Sequence, residues 1–381
     1  MEKKQKIIVA LSGGVDSSVV ASILKKEGHD IIALFMRNWH DESLTKNNDC
    51  PWIEDSNYAM EVCQQLDIPF QTIDLSKEYK ERIVDYMINA YAEGKTPNPD
   101  ILCNREIKFD VFLKYALSLK ADFIATGHYC IKTKNKKIYH LKQGHDQFKD
   151  QSYFLCQINQ QQLEKVIFPI GHLTKQEVRA IAKTENLITA NKKDSQGLCF
   201  VGKIKLPVFL QTKLKPNKGD IIEINQESTI YKSNRKEGFK YQKTDGKKIG
   251  HHNGAHYFTI GQRKGLNVGG MTNPLFVIYT DVKSNIVFVG MGENHPGLFR
   301  NSLQIKNTDL HWLQEQEYLK DGQSASYLVR IRHRQPLQKA ILTMKPTYLD
   351  IEFAIPQRGI ASGQFAAWYK ENELIGSGPI I

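Results

Sequence analysis

The stretch from Ser12 to Ser18, S-G-G-V-D-S-S, has the residue types of a phosphate-binding turn. Its two glycines let the backbone turn sharply, and backbone N–H groups at the start of a following helix point at whatever lies above the turn. Such an array of N–H groups prefers phosphate oxygens, and the three serine hydroxyls add donors. Asp16 is acidic for an anion site, so we expect Mg²⁺ to bridge it to the phosphates. The spacing matches neither the P-loop pattern G-x-x-x-x-G-K-[ST] nor the dinucleotide-binding pattern G-x-G-x-x-G, so this turn is a different phosphate-binding motif.

Two cysteines lie in sequence contexts that favour the thiolate. Cys103 is predicted at the mouth of a helix that begins near Asn104, where the helix dipole lowers the pKa of a thiol. Cys199 lies in the stretch D-S-Q-G-L-C-F, a few residues after Lys192 and Lys193. A cysteine in such a context is more often a buried structural residue than a nucleophile. Spacing alone therefore makes Cys103 and Cys199 no more than candidates for sulfur chemistry.

Composition and charge limit the class of protein. With 41% hydrophobic residues, 10% aromatic residues and no long apolar run, we expect a globular chain without a membrane span. The six cysteines form no C-x-x-C pair, and the apolar run after the basic start is too short for a secretory signal, so we predict a cytoplasmic location. The net charge is +11, and the segment 203–248 is rich in lysine. This excess favours either a polyanionic partner or a solvated lysine-rich surface.

Alternating strand-like and helix-like stretches in the first two hundred residues must position these groups. The run K-I-I-V-A-L predicts a buried strand that leads into the glycine turn, and an apolar stripe from Val19 to Leu24 predicts the helix after it. Repetition of this pattern indicates a doubly wound parallel sheet of the α/β class. After about residue 203, short strands and Gly, Asn and Lys turns predict β-rich structure. The predicted domain boundaries are 1–203, 204–290 and 291–381.

Several motifs, in order along the chain, closely resemble those of the tRNA-specific 2-thiouridylase family, within the ATP pyrophosphatase (PP-loop) superfamily. They are SGGVDSSV, TPNPD with CNREIKF, ATGHY, KDQSYFL, DSQGLCFVG, YFTIGQRKGLNVGG and VRIRHRQ. The likeness spans nearly the whole chain. It implies a PP-loop, adenine nucleotide hydrolase-like catalytic domain in 1–203, a central β-rich, tRNA-contacting domain in 204–290 and a C-terminal β-barrel in 291–381.

The resemblance implies a tRNA-uridine 2-sulfurtransferase that converts the wobble uridine, U34, to 2-thiouridine. ATP, with Mg²⁺, would adenylate the C2 carbonyl oxygen and make it a good leaving group, so that sulfur can replace it. The implied partners are the anticodon region of tRNA and a sulfur-carrier protein or cysteine desulfurase. In this picture Cys199 receives a persulfide and Cys103 releases the terminal sulfur, which leaves a Cys103–Cys199 disulfide for a reductant to reopen.

Residue by residue, the resemblance implies three sets of site residues. The catalytic residues would be Cys103, Cys199, Asp16 and Asp100. The nucleotide would lie against Ala10, Leu11, Ser12, Gly13, Gly14, Val15, Asp16, Ser17, Met36 and Gly127. The target base would be held by Asn98, Pro99 and Asp100, and further tRNA contacts would come from His128, Lys149, Asp150, Gln151, Arg332, His333 and Gln364.

The motif V-R-I-R-H-R-Q also suggests an RNA contact from its residue types. If it forms one strand, Arg330, Arg332 and Arg334 lie on the same face. Three guanidinium groups suit RNA phosphates, although a solvated barrel face has the same pattern. Two features depart from the family pattern: the segment 226–249 is longer than the usual central domain, and Cys50 lies in a variable loop as either a sulfur relay or a bystander.

Two other functions fit parts of the sequence. An adenylating enzyme that uses ammonia would need an ammonia source, and it would leave Cys103 and Cys199 without a role. A non-catalytic RNA-binding protein that uses ATP as a switch would bind tRNA without releasing pyrophosphate. No Cys/His cluster has metal-ligand spacing, so we expect no metal held by protein ligands alone.

Overall fold

The computed structural model describes residues 4–38, 51–193, 206–232 and 238–381. Cys50, Cys199 and residues 233–237 of the 226–249 segment lie outside the described residues. The chain divides into two compact units. The first comprises Met1–Asp85, Pro99–Leu206 and Glu371–Leu374, and the second Tyr86–Asn98, Pro207–Lys370 and Ile375–Ile381. Among the helices of the described ranges, none is long and apolar enough to cross a lipid bilayer.

A parallel sheet forms the centre of the first unit, which confirms the predicted α/β class. The strands up to residue 167 are β1 (Lys6–Ala10), β2 (Asp30–Arg37), β3 (Phe70–Asp74), β4 (Phe123–Ala125), β5 (Cys130–Asn135), β6 (Ile138–Gln143) and β7 (Val166–Ile167). The sheet has the order β3-β2-β1-β4-β7, with every neighbouring pair parallel. Strands β5 and β6 form an antiparallel hairpin.

Strand β1 is the central strand, and after Lys6 its residues are all apolar. Ile7, Ile8 and Val9 are fully buried, as a strand covered on both faces requires. Ile8 pairs with Ile32 of β2 on one side and with Ile124 of β4 on the other. The strand order therefore changes direction between β1 and β4. In open α/β sheets, ligands bind at the carboxyl ends of the strands at such a switch point.

Helices connect these strands. Their bounds are α1 (Val15–Lys26), α2 (Pro51–Leu66), α3 (Ser76–Tyr79), α4 (Asp85–Ala92), α5 (Pro99–Leu102), α6 (Phe112–Ser118), α7 (Gln160–Glu164) and α8 (Lys175–Thr184). Helix α1 buries the predicted stripe of Val19, Val20 and Leu24 against the sheet. The sequence T-x-x-E forms a capping box at the start of α8, since the Glu177 N–H donates to Thr174 Oγ1 over 3.2 Å and the Thr174 N–H donates to the Glu177 carboxylate over 2.7 Å.

The second unit is mostly β-structure, which confirms the prediction for this part of the chain. Besides α4 from Tyr86 onward, it contains α9 (Leu206–Lys213) from Pro207 onward, β8 (Gly219–Ile224), β9 (Lys247–His252), β10 (Leu275–Asp281), β11 (Ile286–Met291), β12 (Phe299–Lys306), β13 (His311–Trp312), β14 (Ser324–Arg330), β15 (Gln338–Met344), β16 (Tyr348–Arg358), β17 (Phe365–Lys370) and, from Ile375 onward, β18 (Glu373–Pro379). One sheet has the order β10-β11-β8-β9, and the strands after residue 298 pair in the order β12-β16-β15-β14-β17-β18. Each group of strands has its own apolar core.

Candidate active site

The turn between β1 and α1 has a backbone that only glycine accommodates at one position. Gly13 has a φ of 72°, and a Cβ atom there would lie 2.0 Å from the carbonyl oxygen of Asp55. Gly14 is the N-cap of α1 and supplies no side-chain acceptor for the first-turn N–H groups. Those groups therefore face the carboxyl end of β1 as donors for an anion.

The serines of this turn divide into two roles. Ser12 is exposed, whereas Ser17 and Ser18 are buried. The Ser17 and Ser18 hydroxyls donate to the Gly14 carbonyl oxygen over 3.1 and 2.9 Å. We expected all three hydroxyls to point at phosphate, but those of Ser17 and Ser18 brace the turn in the described structure. Ser12 and the backbone N–H groups remain the accessible donors.

Asp16 is held by two residues from distant parts of the first unit. Lys175 Nζ lies 2.7 and 2.9 Å from its two carboxylate oxygens, and the Tyr129 hydroxyl donates to it over 2.7 Å. Sequence reasoning missed Lys175 as a site residue. Its one local signal was its position immediately after the capping residue Thr174, which places it at the start of a helix.

Residues after β4 complete this face of the site. A Cβ atom on Gly127 would lie 3.1 Å from the Ser17 backbone nitrogen and 3.2 Å from the backbone carbon of Asp16, so the absence of a side chain allows the two loops to touch. Met36, the other predicted nucleotide contact outside the turn, lies at the carboxyl end of β2, half-buried. Ala10 and Leu11 end β1 and enter the turn, and both are buried. The structure thus brings the predicted nucleotide residues to one edge of the sheet.

His128 follows Gly127 and is buried, with Nδ1 2.8 Å from the Thr126 hydroxyl oxygen. Burial holds the pKa of His128 well below its ordinary value, and the charge of Lys108 acts in the same direction. The imidazole is therefore neutral at physiological pH. Its ring packs against Phe109 at a centroid distance of 5.9 Å, which joins it to the helical segment that carries Cys103.

Lys192 contacts the same turn from the opposite side. Its Nζ donates to the Gly13 carbonyl oxygen over 3.0 Å and to the Asp55 carboxylate over 2.6 Å, and it lies 3.9 Å from the centre of the Tyr58 ring. The sequence suggested that Lys192 favours a thiolate at Cys199. The structure places its ammonium group on the glycine turn instead, and Cys199 itself lies outside the described residues.

Cys103 does not lie at a helix N-terminus, and that prediction was wrong. Helix α5 begins at Pro99, a π-helical segment follows from Cys103 to Val111, and α6 continues from Phe112. Cys103 is thus one turn inside the helical stretch, because Pro99 starts the helix earlier than Asn104. The thiol belongs to a fully buried residue. Asp100 lies in the first turn of α5 and is half-buried.

Asn98 and Gln364 are brought together, although they lie far apart in the sequence. The Asn98 amide nitrogen lies 3.5 Å from the Gln364 side-chain oxygen. The neighbouring Thr96 N–H donates to the Ser362 carbonyl oxygen over 2.7 Å, and a Cβ atom on Gly363 would lie 3.0 Å from the Thr96 backbone. A predicted base contact, Asn98, and a predicted tRNA contact, Gln364, therefore lie side by side in the second unit.

The predicted tRNA contacts Lys149, Asp150 and Gln151 have different environments. Asp150 is buried and accepts hydrogen bonds from the backbone N–H groups of Gly144 and Ser152. The Gln151 side-chain oxygen accepts from the Tyr129 N–H over 3.0 Å. Asp150 and Gln151 therefore shape the loop, and Lys149 is the member with a half-exposed charged side chain.

The motif V-R-I-R-H-R-Q does not form one strand, because β14 ends at Arg330. Arg330 is buried, with its guanidinium carbon 4.8 Å from the centre of the Tyr369 ring. Arg332 is exposed and donates to the Gly359 carbonyl oxygen, while His333 is half-buried in the following turn. Arg334 has a φ of 65°. The prediction of three guanidinium groups on one strand face is therefore wrong.

Comparison with known proteins places the chain in a family. A tRNA-specific 2-thiouridylase from Flavobacterium johnsoniae is 55% identical over 99% of this chain and 100% of its own length. This chain belongs to the tRNA-specific 2-thiouridylase family. Another member, from Halalkalibacterium halodurans, is 40% identical over 99% of this chain and 95% of its own length.

Three family sequence models match successive parts of this thiouridylase-family chain. They are described as a tRNA methyl transferase HUP domain over residues 5–203, a tRNA methyl transferase PRC-barrel domain over 208–291 and an aminomethyltransferase beta-barrel domain over 302–380. The solved structure of a U34-tRNA thiolase from Methanococcus maripaludis covers 52% of this chain and 62% of its own, at 18% identity and a TM-score of 0.34. Such a remote likeness carries no argument about this site.

Proposed function

We propose that this protein is a tRNA-uridine 2-sulfurtransferase that uses ATP to convert U34 of tRNA to 2-thiouridine. The observation that carries the proposal is the turn of Ser12–Ser18 with Lys175 fixed on Asp16, at the switch point of a sheet in a chain that belongs to the 2-thiouridylase family. This turn is an anion site with a cationic side chain beside it. In the proposal it binds the triphosphate of ATP, which is cleaved between the α and β phosphates.

The first half of the reaction is adenylation of the uracil carbonyl. The C2 oxygen attacks the α-phosphorus of ATP, the bond to the β-phosphate oxygen breaks, and pyrophosphate leaves. The N–H groups at the start of α1 and the exposed Ser12 hydroxyl bind the departing phosphates. Lys175 neutralises the Asp16 carboxylate, so that this charge does not repel the phosphates. Gly127 packs directly against the turn, and the adenosine would lie beside it.

Magnesium belongs to the proposal as part of the substrate, MgATP. Both Asp16 carboxylate oxygens are already bonded by Lys175, and Tyr129 donates to one of them. No group of three His, Cys, Asp or Glu suited to a metal ion occurs among the residues that the structure describes. A cation bridged by Asp16 would have to displace Lys175, so this arrangement favours Mg²⁺ held by the phosphates and water.

The second half of the reaction replaces the adenylated oxygen with sulfur. Cys199 carries a persulfide, and the Cys103 thiolate attacks the Cys199 sulfur. The bond to the terminal sulfur breaks, and the electron pair leaves with that sulfur. The sulfur adds at C2, either directly from the persulfide or after release as hydrosulfide, and AMP leaves with the former carbonyl oxygen. A reductant then supplies two electrons to reopen the Cys103–Cys199 disulfide. Because Cys103 is fully buried, the segment around it must open for this exchange.

The remaining contacts of the proposal concern the RNA and its delivery partner. Asn98, Pro99 and Asp100 would hold the target base, and His128, Lys149, Arg332, His333 and Gln364 would contact the rest of the tRNA. The persulfide would come from a sulfur-carrier protein or a cysteine desulfurase in the cytoplasm. We retain the division into domains 1–203, 204–290 and 291–381 as a prediction.

The test is mass spectrometry of nucleosides from unmodified tRNA after incubation with the protein, MgATP, a persulfide source and reductant. The matched control is the same tRNA with cytidine in place of U34. We expect 2-thiouridine from the uridine-containing tRNA only. A mass increase equal to a CH₂ group, when a methyl donor is added, would support a methyltransferase and contradict the proposal, and so would the absence of any thiolated nucleoside from an otherwise active preparation.

A further inference from the structure

Phe148 is the most exposed large hydrophobic side chain among the described residues. Its exposed fraction is 88%, whereas the other exposed large hydrophobic residues of those ranges have fractions between 38% and 65%. Single exposed apolar residues of the latter kind are ordinary on protein surfaces. A phenylalanine with nearly its whole ring in water is not, since burying it would gain free energy.

Hydrogen bonds fix the backbone of the loop that carries Phe148. The Phe148 N–H donates to Asp146 Oδ1 over 3.0 Å, and the Lys149 N–H donates to the Asp146 carbonyl oxygen over 3.0 Å. On the other side of the loop, Asp150 accepts from Gly144 and Ser152. The exposed ring therefore stands on a hydrogen-bonded turn. Two side-chain torsions are all that binding would have to fix.

Both ends of this loop are bonded to residues that hold Asp16. Asp146 Oδ2 accepts from the Lys175 N–H over 3.0 Å, and the Lys175 ammonium group bonds Asp16. The Gln151 side chain accepts from the Tyr129 N–H, and the Tyr129 hydroxyl donates to Asp16. A ligand on Phe148 is therefore positioned relative to the phosphate turn by two short chains of hydrogen bonds within the first unit.

The carboxylates of the loop do not face the side on which the Phe148 ring is exposed. These two carboxylates, Asp146 and Asp150, point inward and accept backbone N–H groups, and Asp150 is 2% exposed. The Lys149 side chain is half-exposed, and the His145 ring is exposed. An exposed aromatic ring beside a lysine matches the way proteins bind single-stranded nucleic acid, where bases stack on rings and cations contact phosphates. An acidic protein partner would pair with the same lysine, but charge pairing does not use the flat face of an aromatic ring.

We propose that Phe148 stacks on an unpaired base of the tRNA substrate and thereby positions the RNA over the phosphate turn. This inference rests on the proposed function, since it names a residue that binds the RNA which that reaction modifies. It adds an aromatic contact to the basic and polar contacts given above. Stacking on one base accounts for about a 5- to 150-fold change in affinity when the ring is removed.

The test compares tRNA binding by the wild type with that of F148A, F148L and F148W, in the full-length protein without ATP or sulfur donor. We expect F148A and F148L to bind about 5- to 150-fold more weakly, because leucine keeps the apolar surface but offers no π-face. F148W should bind like the wild type or more tightly. The control is Y318A, which removes the exposed Tyr318 ring from the second unit and should leave the affinity unchanged.

A second measurement reports stacking directly. The fluorescence of F148W, after subtraction of the wild-type signal from its four tryptophans, should be quenched when tRNA is added. The inference would be overturned by unchanged tRNA affinity of F148A, by wild-type tRNA affinity of F148L, or by the absence of quenching in F148W. None of these results would contradict the thiolation activity proposed for the wild type. Weaker thiolation by F148A with a carrier protein but normal tRNA binding would assign the ring to a protein partner, which also overturns it. A wild type that binds no tRNA would refute the proposed function itself.

Discussion

Lys175 Nζ bonds both carboxylate oxygens of Asp16, at 2.7 and 2.9 Å, although the two residues are 159 positions apart in the chain. The bond joins the first turn of α8 to the first turn of α1. It places an ammonium group beside an anion site and cancels a carboxylate charge that would otherwise repel phosphate.

Replacing this lysine should therefore affect adenylation more than tRNA binding. We expect K175M to lower the rate of tRNA-dependent pyrophosphate release about 10²- to 10³-fold, the cost of losing one preorganised donor, with tRNA affinity within about threefold. The control is K26M, which removes an exposed lysine paired with Glu185 on the same unit. The double variant D16N/K175M should lose less than the sum of the two single effects. Additive losses would show that the two side chains act independently.

Two of the buried cysteines, Cys103 and Cys63, should respond oppositely to replacement by serine. We expect C103S to release pyrophosphate in the presence of tRNA but to form no 2-thiouridine, because serine cannot accept or release sulfur. Burial raises the pKa of Cys63 to about 12, so its thiol stays protonated at neutral pH. C63S should therefore thiolate tRNA at close to the wild-type rate. Thiolation by C103S, measured as nucleoside by mass spectrometry, would remove Cys103 from the mechanism.

The contact between Gly127 and the phosphate turn predicts a sensitive position. In G127A the new methyl group would lie 3.1 Å from the Ser17 backbone nitrogen, so the turn must shift. We expect about a tenfold loss in kcat/KM for ATP. The matched variant is G269A, whose Cβ would meet nothing within 4 Å. Equal ATP kinetics for G127A and wild type would show that the two loops have room to separate.

The buried imidazole of His128 predicts a pH dependence of stability. Its pKa in the folded protein lies well below the ordinary value, so the unfolded chain takes up a proton that the folded chain does not. The resulting stability is present above about pH 6.5 and is lost as the pH falls toward the folded pKa, by up to about 1.4 kcal/mol per pH unit.

We expect H128Q to be less dependent on pH than the wild type when urea midpoints are compared between pH 7.5 and 5.5. Part of the pH dependence of stability should remain in H128Q, because burial also lowers the pKa of His252, His256 and His295. Parallel curves for H128Q and the wild type would contradict the prediction.

Arg330 and Arg332 belong to the same motif, but replacing them should have different effects on stability and on tRNA binding. R330A removes a buried guanidinium stacked on Tyr369 and should lower the free energy of unfolding by about 2 kcal/mol or more. R332A should leave stability almost unchanged and reduce the slope of log K for tRNA against log salt by about one. The affinity of the wild type should itself fall steeply with salt, since phosphate contacts release counterions. A flat salt dependence would remove the electrostatic argument for tRNA binding.

The sequence by itself determined the features that depend on local patterns. The strand, glycine turn and helix of the phosphate site follow from an apolar run, two glycines and a stripe at helical spacing. The capping box of Thr174 and Glu177 is equally local, and the ordered motifs were sufficient to predict the family. Each of these features is decided by residues within a few positions of one another.

Only the tertiary structure decided how distant residues meet. It placed Lys175 on Asp16 and Gln364 beside Asn98, because sheet order and loop paths set those approaches. It also assigned Asp150 to the interior of its loop and ended β14 at Arg330. Residue type alone could not predict these outcomes, since a carboxylate or a guanidinium serves equally well on a surface or as the partner of buried groups. Which role it takes depends on what packs around it.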